Sequence, residues 1–156
     1  MNAVNSGLLQ AAVQGIKAAT QLLLESDHEN RVGIAMVDVR AHYLCPLNGH
    51  IHEVVMADYE DAFPGIAPAR WLVSVSEDTL PIIHGMLDHV LSYANAGSTA
   101  THPVLMSAIK GTIKTLESCG GRVVVIQGSP SIGEGSSQVH EGVKVYGSTD
   151  ESTLYD

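Results

Sequence analysis

Apolar residues at the start of the chain recur at helical steps. From Leu9 onward, Val13, Ile16, Ala19 and Leu23 follow at steps of three or four, with Val4 ahead of them, and Gln10, Gln14, Lys17 and Gln21 fill the opposite side. One apolar stripe and one wet stripe predict a helix over residues 3–26, with Asn2 as its cap and the polar tract from Ser26 to Asn30 as its end. The pattern then changes. Arg31-Val32-Gly33-Ile34-Ala35-Met36-Val37-Asp38-Val39 is apolar without alternation, as expected of a strand covered on both faces. Arg40-Ala41 can turn the chain, so that His42-Tyr43-Leu44-Cys45-Pro46-Leu47 returns antiparallel. Asn48-Gly49 is a second turn signal, followed by a short strand candidate at 53–57.

The acidic tract Asp58-Tyr59-Glu60-Asp61 and the Pro64, Gly65, Pro68 segment read as loop before the apolar Trp71-Leu72-Val73. A second helix is expected over 77–95. Ser76 is its cap, Glu77 and Asp78 suit the positive end of the helix dipole, and Leu80, Ile83, Leu87, Val90 and Ala94 form its stripe. A third is expected over 103–118, with Pro103 at its first position and Leu105, Ala108, Ile109, Ile113 and Leu116 inward. Gly120-Gly121 stops it, and Arg122-Val123-Val124-Val125-Ile126-Gln127 reads as another strand covered on both faces. From about 128 onward the composition is loop, apart from a short strand candidate at 143–146. Helices alternating with covered strands imply an α/β fold with a mostly parallel sheet and helices on both faces. A chain that opens on a helix and holds two strong core strands is expected to belong to a larger sheet, with one strand before residue 1 and further elements after residue 156.

Composition narrows the classes. The 156 residues carry 8 Lys and Arg against 17 Asp and Glu, a formal charge of −9, with no basic run. Nucleic acid is therefore a poor partner. A hydrophobic share of 45% suits a folded domain rather than a disordered chain. No apolar stretch reaches the ~20 residues that cross a bilayer. Cys45 and Cys119 are too few for a disulfide framework or a zinc site, and both are expected as small buried hydrophobes.

Candidate chemistry is sparse. The glycine-rich segment 128–135 follows a strand candidate but lacks the Rossmann or P-loop spacing, so a surface loop is expected. His50-Ile51-His52-Glu53 would share zinc-binding imidazoles if it were a strand, but it adjoins a turn and is expected as an exposed loop. His84 and His89 are five apart and do not share a helix face, and His84 with Asp88 is expected as a surface contact. There is no Gly-x-Ser-x-Gly elbow, and Cys119 at a helix C-terminus is not an activated thiol. Asp58, Glu60 and Asp61 fit no calcium loop; they form a solvated turn and, with Phe63, a candidate partner-contact segment.

The order of elements resembles the von Willebrand factor A domain. Its metal-binding members carry a threonine-bearing loop before a later helix and a central strand ending in Asp-Gly. Here Gly97-Ser98-Thr99-Ala100-Thr101 occupies the loop, and the strand candidate ends in Gln127-Gly128. The resemblance implies a degenerate metal site at Thr99, Thr101 and Gln127, because Gln lacks the charge that hard cations favour. Finer motifs resemble one branch, the trunk domain of the cargo-adaptor subunit of the COPII vesicle coat. They are Asn2-Ala3-Val4-Asn5-Ser6-Gly7, Arg31-Val32-Gly33-Ile34, Met56-Ala57-Asp58-Tyr59-Glu60-Asp61-Ala62-Phe63-Pro64, Trp71-Leu72-Val73-Ser74-Val75-Ser76-Glu77, and Gly120-Gly121-Arg122-Val123 with Gln127 and Pro130-Ser131-Ile132-Gly133-Glu134-Gly135. They run in family order across residues 1–156, which would then be a partial trunk domain.

That resemblance implies a von Willebrand factor A-like α/β sheet and a non-enzymatic role in endoplasmic reticulum to Golgi transport. The implied partners are the GTPase-activating coat subunit and, through the full assembly, the coat's small GTPase and cargo sorting signals. It also implies peripheral association with the cytosolic face of the membrane. No cofactor is expected in this segment; the family's zinc belongs to a zinc-finger part not present in these residues. The alternatives are a metal-dependent adhesion-type A domain, against which Gln127 argues, and a small α/β enzyme using histidines such as His42 or His102.

Overall fold

The computed structural model describes residues 7–26, 28–56, 60, 62–95 and 104–127. In chain order they form α1 (Leu8–Leu24), β1 (Arg31–Val32), β2 (Ile34–Val37), β3 (Ala41–Leu47), β4 (His50–Met56), α2 (Pro68–Trp71), β5 (Val73–Ser74), α3 (Leu80–Asn95) and α4 (Leu105–Leu116). Asn2, Pro103, the glycine-rich 128–135 and the strand candidate at 143–146 lie outside the described residues.

Among the described residues the sheet is antiparallel, not mostly parallel. β2, β3 and β4 form one three-stranded sheet, and β1 pairs separately with β5. In the three-stranded sheet the connections dictate this: links of two or three residues join only antiparallel neighbours. Leu47 opposes His50 across Asn48 and Gly49, both at positive φ (52° and 78°), so the predicted turn is a type I′ hairpin. The β2–β3 link is closed by Asp38, whose N–H donates to the Arg40 carbonyl while its carboxylate takes the Arg40 N–H at 2.7 Å.

The strand covered on both faces is β3. Residues 41–45 are all buried. Ala41, Tyr43 and Cys45 join Met56, Ile66, Trp71 and Ala108 on one face; Leu44 joins Val73, Ile83 and Met86 on the other. Helices therefore cover both sides, α3 one and α2 with α4 the other. The 31–39 run, expected to be the covered strand, is instead interrupted at Gly33 and lies at the sheet's edge, with Arg31 and Ala35 exposed. Gly33 breaks it because the Trp71 indole and Leu72 pack directly onto its backbone.

Residues 122–127 also depart from expectation. They form no strand; Val123, Val124, Val125 and Ile126 are 37%, 75%, 45% and 47% exposed. Their composition favours a strand, but a strand needs a hydrogen-bonding neighbour, and none of the described strands pairs with them.

Helix positions match the periodicity better than helix faces do. α1 packs on α3 and buries Val13 and Thr20, leaving Ala19 and Leu23 exposed. Lys17 bonds Asp88 at 2.7 Å and Thr20 lies 3.3 Å from His84 Nε2, so a polar seam sets the rotation. α4 buries Ala108, Gly111, Thr112 and Thr115 and leaves Ile113 exposed. Its small face lets the backbone approach Tyr43, whose hydroxyl donates to the Ala108 carbonyl and meets Thr112 Oγ1, each at 3.2 Å. α3 keeps the predicted stripe, with Ile83 and Leu87 fully buried. Ser76 and Thr79 exchange backbone and hydroxyl bonds in the turn ahead of it, as a cap should. Gly120 ends α4's C-terminus as predicted, its N–H donating to Leu116 O at 2.7 Å.

Candidate functional site

The hairpin β3–β4 and helix α3 bring together a group of polar side chains that no single motif announced. His42 on β3, Glu53 on β4, and His89 and Tyr93 on α3 meet Asp38 from the β2–β3 turn. Glu53 accepts from both imidazoles, His89 Nε2 at 2.7 Å and His42 Nδ1 at 3.0 Å. Tyr93 donates to Asp38 Oδ2 at 3.0 Å, and its ring lies 5.3 Å from that of His42. Burial raises the Glu53 carboxyl, but the hydrogen bonds and positive charge of His89 and His42 outweigh it and hold the group below its ordinary range. Burial, the bond to Asp38 and the nearby carboxylate charges push the Tyr93 hydroxyl up.

The His50-Ile51-His52-Glu53 segment is strand, not loop. The hairpin register places it opposite residues 44–47, where ladder bonds hold it. His50 and His52 are exposed, while Glu53 turns to the opposite face toward α3. His84 faces Thr20 on α1, and Asp88 bonds Lys17, so the expected His84–Asp88 contact is replaced by two contacts across the α1–α3 seam. Cys45 is buried as expected, but Cys119 is exposed because it follows the last turn of α4. Among the described residues no group of three or more His, Cys, Asp or Glu has the geometry to hold a metal ion. No helix among them is long and apolar enough to cross a membrane.

A cleft of about 530 Å³ opens beside β3 and β4, lined by Cys45, His52, Arg70, Gly65, Leu72 and others. Burial raises the Cys45 thiol despite the opposing charge of Arg70, so it is not a poised nucleophile. The cleft lacks the activated nucleophile and positioned base of an acyl-transfer site.

Of the partner-contact segment, Asp58 and Asp61 lie outside the described residues, as do Thr99 and Thr101 of the degenerate metal site. Glu60 is exposed, and Gln127 is exposed at the end of the extended 122–127 run. Phe63, the only phenylalanine in the chain, is 57% exposed, with Lys114 Nζ of α4 5.9 Å from its ring centre. The ammonium over the ring makes an exposed cation–π contact, a weak one in water.

The described residues define a mixed α/β domain with helices on both faces of its central strand. The chain belongs to the Sec23/Sec24 trunk domain family, whose model matches residues 1–155. Its relatives include proteins named protein transport protein SEC24. That of Coccidioides immitis is 29% identical and that of Aspergillus niger 28%, over 98% and 97% of this chain; that of Podospora anserina is 26% identical over 97%. The chain spans only 16–17% of the length of those relatives. No solved structure matches it.

One prediction arises at Glu53. Its folded pKa is depressed, so the stability it contributes is complete above its unfolded value near 4.5 and is lost as pH falls through the folded value. Glu53→Gln is expected to cost about 1 kcal/mol at pH 7, less than the ~1.5–3 kcal/mol of a buried charge-assisted bond because the side chain is 27% exposed and screened by solvent. Urea unfolding of both proteins from pH 7 down to pH 3 checks this. The difference should shrink with acid; a difference independent of pH would show that the charge of Glu53 is not what matters.

Proposed function

We propose that this chain is trunk from a cargo-adaptor subunit of the COPII coat, serving endoplasmic reticulum to Golgi transport without catalysing a reaction. The family match over residues 1–155 carries this reading. The trunk then works by shape. A core packed on both faces of β3 makes a stiff support, and Phe63 with the adjoining face of α4 meets the GTPase-activating subunit. In this reading the sheet is von Willebrand factor A-like, and helices on both faces support that layering. Cargo signals, the coat's small GTPase and the cytosolic face of the membrane engage the whole assembly. No cofactor belongs to these residues.

The test is binding of the chain, within its full-length protein, to the purified GTPase-activating subunit by calorimetry. Micromolar or tighter affinity is expected, about −8 kcal/mol or better. Phe63→Ala is expected to weaken it about tenfold while leaving thermal stability unchanged, because the ring is exposed in the free chain. Failure of the wild-type protein to bind would overturn the assembly role. Binding that ignores Phe63→Ala would move the contact to another surface.

A further inference from the structure

A strand turns alternate side chains to one face, so His50 and His52 share a face of β4, rooted about 6.6 Å apart. Both are exposed. The other described histidines on strands and helices are occupied: His42 and His89 meet Glu53, and His84 meets Thr20. Neither His50 nor His52 has a hydrogen bond or ion pair among the described residues. Glu53, next along the strand, faces α3. Across the ladder stand Leu47, opposite His50, and Cys45, opposite His52. The Cys45 thiol is buried and donates to the Tyr43 carbonyl at 3.5 Å. Two imidazoles are left side by side on a backbone that the hairpin holds in place.

We propose that His50 and His52 chelate one borderline divalent ion, of the zinc and copper(II) class, on the exposed face of β4. An imidazole nitrogen binds such an ion at about 2.0–2.1 Å, so two donors stand about 3.4 Å apart at a tetrahedral centre. Rings rooted about 6.6 Å apart close to that distance by turning about their side-chain bonds. The ladder to β3 fixes the spacing, because it keeps residues 50 and 52 in register with 47 and 45. Two donors make an open site, in keeping with the absence of a three-donor group among the described residues. Water, or a donor from a second molecule, takes the remaining positions. Imidazole favours copper(II) over zinc, and both over magnesium and calcium, which take oxygen ligands. The formal charge of −9 draws cations to the chain, while Arg70, which lines the cleft with His52, opposes them locally. The pair binds metal whether or not the chain serves in a coat.

The test is calorimetric titration of copper(II), zinc or magnesium into the full chain after chelator treatment. Micromolar binding of copper(II) is expected, with zinc about tenfold weaker and magnesium silent. His50→Gln and His52→Gln, both at exposed positions, should each weaken copper(II) binding about tenfold or more, while His28→Gln, exposed in the loop after α1, leaves it unchanged. In the wild-type chain, substoichiometric copper(II) should broaden the NMR signals of the His50 and His52 rings before those of the other histidines. Concentrated urea keeps both histidines but removes the strand, and should weaken binding about tenfold. A copper(II) Kd above about 1 mM overturns the proposal. So does wild-type affinity in His52→Gln, broadening centred on other histidines, or equal affinity with and without urea.

Discussion

Trp71→Ala is expected to destabilise the chain by about 3–5 kcal/mol, the range for deleting a large buried aromatic. Trp71 is 4% exposed and is the chain's only tryptophan. Its ring meets Tyr43 edge-on at 5.4 Å, and its Nε1 donates to the Ile34 carbonyl at 3.0 Å. The substitution thus opens a cavity beside the central strand and leaves an edge-strand carbonyl without its donor. A loss of this size is a large part of the total stability of an ordinary domain. Urea unfolding followed by circular dichroism measures it, since indole fluorescence disappears with the residue. Trp71→Phe should recover most of the loss but not the hydrogen bond. A cost below about 1 kcal/mol for Trp71→Ala would contradict the packing described.

The second large effect is at Gly33. A β-carbon there would stand 2.6 Å and 2.8 Å from Trp71 Cε2 and Cζ2 and 2.9 Å from Leu72 Cδ2. The indole cannot retreat easily, being tied to Ile34 and backed by Tyr43. Gly33→Ala is expected to cost about 1–3 kcal/mol through overpacking and to shift the Trp71 fluorescence. The two sites touch, so they should couple. In a Trp71→Ala background the ring no longer obstructs the new methyl, and Gly33→Ala should cost much less than in the wild type. Additive effects in that cycle would show that the close approach is not the source of the loss.

Gly33 also illustrates what local pattern leaves open. The run 31–39 is apolar enough for a core strand, yet the neighbour of Gly33 is the indole of Trp71, far along the chain. No periodicity encodes that contact. The same limit applies to helix faces. Large aliphatic residues mark Leu23 and Ile113 as inward, but α1 turns Thr20 and Lys17 to α3, and α4 turns Gly111 and Thr112 to Tyr43. Small and hydroxyl-bearing residues win those positions because they permit close approach and satisfy buried polar partners. The polar group around Glu53 was legible only as scattered histidines and acids. Its members come from the turn at 38, two strands and a helix, so sequence spacing carries no signal of it. Phe63, by contrast, stood out in the sequence within a resembling motif, and the structure leaves its ring exposed.

Elements with local causes follow directly from the order of residues. Asn48-Gly49 supplies the two positive φ angles of the hairpin, Ser76 and Thr79 cap the approach to α3, and Gly120 stops α4. The family was also legible there, because its motifs are short and keep their order. Which strand is covered, which way each helix is rotated, and the meeting of His42, Glu53 and His89 in one polar junction are set by tertiary contacts. Those outcomes depend on neighbours distant in sequence, and burial is set by what lies across the sheet rather than by the apolar character of the strand. Hence β3, with a histidine and a cysteine in its centre, is the buried strand, while the four apolar residues at 123–126 are exposed.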